Sequence, residues 1–298
     1  MTIFVQVVLP VLLIFSAGFG LQKWKKVNVK PLSTVAIYIF TPMLIFQTFY
    51  RTKIDQQYIN MVVFSIILMA AIILICKFYV RIRKLTRLTE SGLILSTAFM
   101  NSGNYGAPII LFAYGETAFA YAVSLLVLHT ILMNFFGIYY AARGDSGVKA
   151  ALKAVLAMPP TYAILFAILL QINDIKVPEN LMSAVDLLGP ATIPLIMVIL
   201  GMQLADINLF KLEWEKISFG VVTRLIISPA IAVGIVFLIP MDPILAKVLI
   251  LTAAMPSAAN TVIYAVQYDA ESDLVSSITL ITTLVSIFTV TIMLILLG

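Results

Sequence analysis

The chain has very few charged or chemically reactive side chains for its 298 residues. Charged residues make up 11% of the chain, against about a quarter in soluble domains. Its only cysteine and only histidine are Cys76 and His129, which excludes an intramolecular disulfide and a cysteine metal cluster. The sequence also contains no nucleophile elbow, zinc-protease motif or phosphate loop. These absences argue against an enzyme, and we expect neither a cofactor nor a metal.

Apolar residues dominate instead, at 62% of the chain. Runs of roughly 20 such residues, enough to cross a bilayer, recur along the whole chain and predict an all-α polytopic membrane protein. The first run has no basic leader and no small-residue cleavage site, which predicts a retained span. The ten predicted spans cover residues 3–21, 31–50, 58–80, 90–114, 117–141, 158–173, 181–204, 217–239, 244–268 and 273–297.

Two parts of the chain resemble each other at an offset of 155 residues. The matching pairs include Thr97 and Thr252, Met100 and Met255, and Ser102 and Ser257. Five spans per half is an odd number, so the second half must enter the membrane inverted. The sequence therefore predicts two inverted five-helix repeats, residues 1–142 and 158–298, joined by a short cytoplasmic connector at residues 143–157.

The basic residues are distributed unequally between the two sides of these predicted spans. The loops on one side carry 14 of them and the loops on the other side carry 4. By the positive-inside rule the first side is cytoplasmic, and both termini lie outside the cell membrane. The same rule explains the net charge of +5 without a nucleic-acid partner.

Each repeat contains an apolar run that is interrupted near its middle, at residues 101–108 and at residues 256–260. A helix break inside a membrane is costly unless the freed backbone groups line a polar cavity. Paired breaks at matching places in two halves are typical of a secondary transporter's substrate site. The alternative interpretation is a pair of ordinary kinks, with Gly103 and Gly106 allowing close helix contact.

The helices that resume after the two breaks would point their N-termini at each other. Each N-terminus carries roughly half a positive charge, and two of them can bind an anion without a lysine. Asparagine amides beside them would orient a carboxylate, so the sequence favours a small organic anion as substrate. The predicted substrate-binding residues are Asn101, Ser102, Asn104, Tyr105, Pro256, Ser257 and Asn260.

Three ionisable residues within the predicted spans are candidates for a functional role. His129 could relay a proton, or it could be a neutral histidine bonded to a neighbouring helix. Arg224 could attract anions, but snorkelling of its head group to the interface is favoured. Asp186 could bind a cation or be a water-exposed residue near the start of its helix.

The two interruptions carry recognisable motifs. Residues 101–108, Asn-Ser-Gly-Asn-Tyr-Gly-Ala-Pro, resemble the Asn-x-Gly-Asn-x-Gly-x-Pro signature of the auxin efflux carrier family. Residues 254–260, Ala-Met-Pro-Ser-Ala-Ala-Asn, resemble that family's ninth-span motif, Met-Pro-Ser-x-x-Asn. The resemblance covers the whole chain and implies a carboxylic-acid permease similar to plant PIN carriers and bacterial malate or malonate permeases.

The resemblance also implies a working architecture. Spans 1, 2, 6 and 7 would form a scaffold, and spans 3–5 and 8–10 a transport domain that moves like an elevator. The implied site residues are Asn101, Asn104, Pro256 and Asn260. The chain has Met255–Pro256 where plant members carry Asn-Pro, and it lacks their long central loop, which argues against auxin itself as the substrate.

Several alternatives stay open from the sequence. The protein could be a cation- or proton-coupled symporter of bile-acid-transporter-like type, or a non-transporting substrate sensor with the same fold. A channel would need a repeated filter segment, and none is visible. The expected partners are the lipid bilayer and a small carboxylate, and a homodimer stays open.

Overall fold

The computed structural model describes residues 4–52, 55–142, 159–206 and 213–298, together with residues 153, 156 and 157. These residues form helices joined by short turns. The only β-type pairing among them is an isolated bridge between Met100 and Ser257. The predicted all-α fold class is thereby confirmed, whereas most of the predicted connector, residues 143–157, lies outside the described residues.

The helices are numbered in chain order, and helical segments that run on without a break are merged. They are α1 (Phe4–Lys25), α2 (Val29–Arg51), α3 (Gln56–Arg83), α4 (Arg87–Ala98), α5 (Ser102–Ala141), α6 (Pro159–Ile172), α7 (Glu179–Asp206), α8 (Trp214–Leu238), α9 (Pro243–Ala253), α10 (Asn260–Gln267) and α11 (Ser272–Leu297).

Local sequence chemistry explains where several helices begin. Asp55 accepts a hydrogen bond from the Gln57 amide at 2.9 Å and caps α3. Asp242 accepts one from the Ile244 amide at 2.7 Å and caps α9. Thr86 caps α4 in the same way. Such side chains satisfy amide groups that have no partner in the first helical turn.

Seven of the described helices are long and apolar enough to cross a membrane, namely α1, α2, α3, α5, α7, α8 and α11. The protein is therefore a multi-pass membrane protein. Helix α5 extends over 40 residues, but its backbone turns sharply at Gly115, where φ is 76° and ψ is −168°. Helices α4, α6, α9 and α10 are shorter, so the number of crossings stays a prediction.

The helices pack in two groups. In one group, α1 lies along α7, and α2 packs against both α6 and α7. In the other, α3 packs against α4 and α8, α9 contacts α5 and α8, and α11 contacts α4, α8 and α10. The first residues of α5 contact α7, which places the start of α5 between the two groups.

Candidate functional site

The segments that follow α4 and α9 run antiparallel and hydrogen-bond to each other. The Asn101 amide donates to the Pro256 carbonyl at 2.9 Å, and the Ala258 amide donates to the Phe99 carbonyl at 3.0 Å. Met100 and Ser257 pair between them. These bonds satisfy backbone groups that would otherwise be unpaired in an apolar surrounding. This antiparallel pairing of residues 99–101 with residues 256–258 is called the crossing below.

Helical structure stops and resumes at the crossing for local reasons. Pro256 has no amide hydrogen and its ring clashes with a preceding helical turn, so α9 cannot continue through it. Helical structure resumes directly after the crossing, where α5 begins with a π-helical turn at Ser102–Gly106. Such π turns occur frequently at functional sites.

Neither restart is capped by a side chain among the described residues. Asn104 lies within the first turn of α5 and so cannot cap it. Ala259 occupies the N-cap position of α10, and no side chain caps that helix among the described residues. Because their side chains are not used as caps, both Asn104 and Asn260 are available to the neighbouring cavity.

A cavity of about 130 Å³ lies beside the crossing. An apolar cavity of about 150 Å³ can hold benzene, so this one accommodates a compact ligand of similar size. Its polar lining consists of Thr41, Ser65, Asn101, Ser102, Asn104, His129, Thr130, Asn134, Thr161 and Asn260. No Asp, Glu, Lys or Arg occurs among the described residues that line it. The cavity therefore offers amide and hydroxyl groups together with the imidazole ring of His129.

Asn101 contributes a buried amide group to this lining. Its side chain is 5% exposed, and its Nδ2 group has no hydrogen-bond partner among the described residues. A buried donor without a partner costs about 1–3 kcal/mol. A ligand carrying an acceptor oxygen would remove that cost, which is a reason to expect one in the cavity.

The structure brings together four of the seven predicted substrate-binding residues and separates the other three from the cavity. The four that line it are Asn101, Ser102, Asn104 and Asn260. Tyr105 instead packs its ring 5.5 Å from that of Phe15, and its hydroxyl accepts a hydrogen bond from Ser286 at 2.9 Å.

Pro256 and Ser257 also lie outside the lining, at the backbone of the crossing. The Ser257 amide donates to Thr282 Oγ1 at 3.2 Å, and its Oγ accepts from Thr279 at 3.2 Å. Ser257 therefore fixes the crossing against α11, and a direct role in binding stays a prediction for Pro256, Ser257 and Tyr105.

Asn134 is a cavity residue that the sequence reasoning missed. It is 1% exposed, its Nδ2 donates to the Thr130 carbonyl at 2.9 Å, and its Oδ1 accepts from the Tyr264 hydroxyl. An amide inside the apolar run of α5 was the signal that could have identified it, because polar side chains within membrane helices bond across to neighbouring helices.

His129 lies on the cavity wall, as a proton relay would require. Its Nε2 is 3.3 Å from Ser65 Oγ on α3, and its Nδ1 is buried with no partner among the described residues. The bond to α3 fits the alternative of a histidine held by a neighbouring helix. The proton relay stays a prediction.

The expectation that Arg224 snorkels is wrong. Its side chain is fully buried, and Nη1 donates to the Thr97 carbonyl at 2.6 Å. Nη2 donates to the Ala253 carbonyl at 2.5 Å and to Ser228 Oγ. These carbonyls lie at the ends of α4 and α9, where backbone acceptors have no helical partner. The guanidinium group stays inside because those acceptors replace the water that it would reach by snorkelling.

Asp186 is partnered within the protein. It accepts hydrogen bonds from Gln47 Nε2 at 2.7 Å and from Arg51 at 2.8 Å. Both partners lie on α2, so Asp186 joins α7 to α2.

A multi-helix apolar protein that encloses an uncharged, donor-lined cavity beside a non-helical crossing has the architecture of a membrane transport protein. The family model described as "Membrane transport protein" matches residues 3–146 and 146–294. The chain belongs to this family, which is that of the auxin efflux carriers. It is a transporter and not an enzyme.

Three similar proteins agree with this assignment. An uncharacterized transporter of Methanocaldococcus jannaschii is 29% identical over 93% of this chain and 91% of its own length. An uncharacterized transporter of Methanothermobacter thermautotrophicus is 27% identical over 95% of this chain and 94% of its own. A Rhizobium meliloti protein named "Putative malonate transporter" is 28% identical over 87% of this chain and 84% of its own.

Proposed function

We propose that the protein is a secondary transporter of small organic anions, carboxylates in particular, and that it binds them in the cavity beside the crossing. The observation that carries this proposal is the buried Nδ2 donor of Asn101, which lines the cavity and has no partner among the described residues. A carboxylate oxygen in the cavity would accept this hydrogen bond, and a bond to a charged group is worth about 1.5–3 kcal/mol.

The electrostatic environment favours an anion over a cation. Helices α5 and α10 both begin at residues that line the cavity, Ser102 and Asn260. A helix N-terminus carries a positive partial charge and free amide donors. The described lining contains no carboxylate that would repel an anion or bind a metal ion.

The proposed architecture has ten spans in two inverted repeats. Helix α4 with the part of α5 before Gly115 forms the fourth span, and α9 with α10 forms the ninth. The part of α5 after Gly115 forms the fifth. In this arrangement the helices resuming at Ser102 and Asn260 face each other across the cavity, and both termini lie outside the cytoplasmic membrane.

The packing pattern supports an elevator-like movement. Helices α1, α2, α6 and α7 form the proposed scaffold, and the other helices form the transport domain that carries the crossing and the cavity. The cavity lies between the two groups, since Thr41, Thr161 and Ile196 of the scaffold line it together with residues of the crossing. Sliding of one group along the other would expose the cavity to each side in turn.

Malonate is the first substrate to test. The name of the Rhizobium meliloti relative refers to it, and a three-carbon dicarboxylate suits a benzene-sized cavity. Binding of radiolabelled malonate to purified protein would be measured for the wild type, Asn101→Ala, and Asn173→Ala as a control. Asn173 carries an exposed amide that donates to the Leu169 carbonyl, away from the cavity lining.

We expect Asn101→Ala to weaken binding about tenfold or more, because one charge-assisted hydrogen bond is lost. Asn173→Ala should bind like the wild type. Equal affinity in Asn101→Ala and wild type would contradict the site. If no malonate, malate or monocarboxylate binds the wild type, the proposed substrate class is wrong.

A further inference from the structure

Arg224 connects two helix ends that are far apart in the sequence. The Thr97 carbonyl lies 127 residues before it and the Ala253 carbonyl 29 residues after it. The first belongs to the last turn of α4, and the second is the last residue of α9. Both helices therefore present their C-terminal ends to a single guanidinium group.

Two helix C-termini that meet in an apolar surrounding need a positive charge. Each carries roughly half a negative charge and up to four carbonyl groups without a helical partner. In secondary transporters with interrupted helices, such C-terminal ends coordinate the coupling sodium ion or proton. In this chain the Arg224 guanidinium donates to carbonyls at both C-terminal ends.

The Arg224 charge has no carboxylate partner among the described residues. Their ion pairs join Arg51 to Asp186, Arg83 to Glu215 and Lys216 to Glu213. A buried cation without an anion is costly unless polar groups surround it. The two carbonyls and Ser228 Oγ are those groups, so the helix ends and the guanidinium stabilise each other.

We propose that Arg224 is a built-in cation that holds the C-terminal ends of α4 and α9 together, in the position where an exchangeable coupling ion would otherwise bind. Arg224 is a positioning residue, because it lies outside the cavity lining. Thr97 directly precedes Ala98, which does line the cavity, and the crossing begins one residue later. Fixing the two carbonyls therefore fixes one wall of the cavity.

Chemical rescue of a variant that lacks the Arg224 side chain tests this role. Arg224→Ala leaves a space that a free guanidinium ion can fill, whereas urea has nearly the same shape and no charge. Thermal unfolding of purified wild type and variant would be measured with millimolar guanidinium chloride, urea, sodium chloride or no addition. Arg83→Ala, which removes a half-exposed arginine paired with Glu215, is the matched control.

We expect Arg224→Ala to lower the unfolding temperature by roughly 5–10 °C, since two buried carbonyls lose their donor. Guanidinium should restore at least half of that shift and urea none of it, while the wild type and Arg83→Ala should respond to neither. Equal effects of guanidinium and urea, or an unchanged unfolding temperature in Arg224→Ala, would overturn the proposal.

If Arg224→Ala does not fold, a second pair of variants tests whether Arg224 acts through its positive charge. Arg224→Lys keeps the charge and loses the planar fork, whereas Arg224→Gln keeps neutral N–H donors and loses the charge. A built-in cation requires Arg224→Lys to unfold at a higher temperature than Arg224→Gln. The reverse order would show that the role is hydrogen bonding alone and would overturn the proposal.

Malonate binding distinguishes a failure of this inference from a failure of the proposed function. Only the malonate-binding measurement rests on the proposed function, and the unfolding measurement does not. Weakened binding in Arg224→Ala that guanidinium restores at least tenfold supports both. A wild type that binds no carboxylate overturns the proposed function and leaves the unfolding result standing. A wild type that binds malonate, with no rescue of unfolding or binding in the variant, overturns the role of Arg224.

Discussion

At the residue scale, the asparagine side chains around the cavity differ in whether their amide groups already have hydrogen-bond partners within the protein. Asn134 is bonded through both ends of its amide, to Thr130 and Tyr264. Asn101 has a buried Nδ2 with no partner among the described residues. We therefore assign substrate contact first to Asn101 and shaping of the wall to Asn134.

Replacing the Asn101 donor with an acid tests the sign of the charge that the cavity accepts. The Asn101→Asp variant places a carboxylate beside the bound anion, which introduces repulsion of about 3 kcal/mol at roughly 5 Å and an effective dielectric of about 20. We expect malonate affinity to fall about a hundredfold at neutral pH. It should recover as the pH falls and the new carboxyl gains a proton that it can donate.

The pH series needs a variant that cannot titrate at this position. Asn101→Ala should lose affinity to a smaller extent, and the ratio of its affinity to that of the wild type should stay constant across the same pH range. Malonate binding by Asn101→Asp that is as tight as that of the wild type at neutral pH would mean that no anion lies beside Asn101, against the proposed function.

At the element scale, the α1–α7 pair depends on two glycines that let the helix backbones touch. A Cβ atom on Gly18 would lie 2.1 Å from the Val198 carbonyl oxygen, and one on Gly201 would lie 2.0 Å from that of Phe15. Backbone atoms at such distances cannot move aside individually, so any side chain here must separate the helices. This reciprocal contact lies within the proposed scaffold.

The two glycines of α1 provide a matched comparison. Gly18→Ala should destabilise the protein by about 1–3 kcal/mol through overpacking, whereas Gly20→Ala should be neutral or slightly stabilising, since nothing lies within 4 Å of its added Cβ. Thermal unfolding of the two variants measures the difference. If both variants unfold at the same temperature, the close α1–α7 contact is wrong.

Part of the element structure follows from the sequence, and part does not. Pro256 predicts the end of α9 because it has no amide donor, and the apolar runs predict the long helices. The register that pairs Met100 with Ser257 depends on tertiary packing between segments over 150 residues apart. The position of Arg224 could not be predicted either, because its partners are two helix ends that only the fold brings together.

At the scale of the whole molecule, the unequal distribution of basic residues predicts which side faces the cytoplasm. Lys77, Arg81, Lys84 and Arg87 border one surface pocket where α3 ends and α4 begins. Lys176 lies between α6 and α7, on the opposite side in the ten-span arrangement. The predicted orientation rests on the positive-inside rule.

Thiol labelling in intact cells tests that orientation. Cys76 is the only cysteine and is buried. Labelling of an introduced cysteine can therefore be measured with little background from Cys76. Lys176→Cys should react with a membrane-impermeant maleimide, and Lys84→Cys should react only after the cells are opened. The opposite pattern would place the termini in the cytoplasm and invert the proposed topology.

The measurement that tests the central claim most directly is counterflow in proteoliposomes. Vesicles loaded with unlabelled malonate would be diluted into a trace of labelled malonate, with wild type and Asn101→Asp compared side by side. A carrier exchanges substrate across the membrane whatever ion is coupled to it, so we predict transient accumulation of label by the wild type and almost none by the variant. If the wild type binds malonate but accumulates no label, the protein is a substrate sensor and the transport mechanism proposed for this chain is wrong.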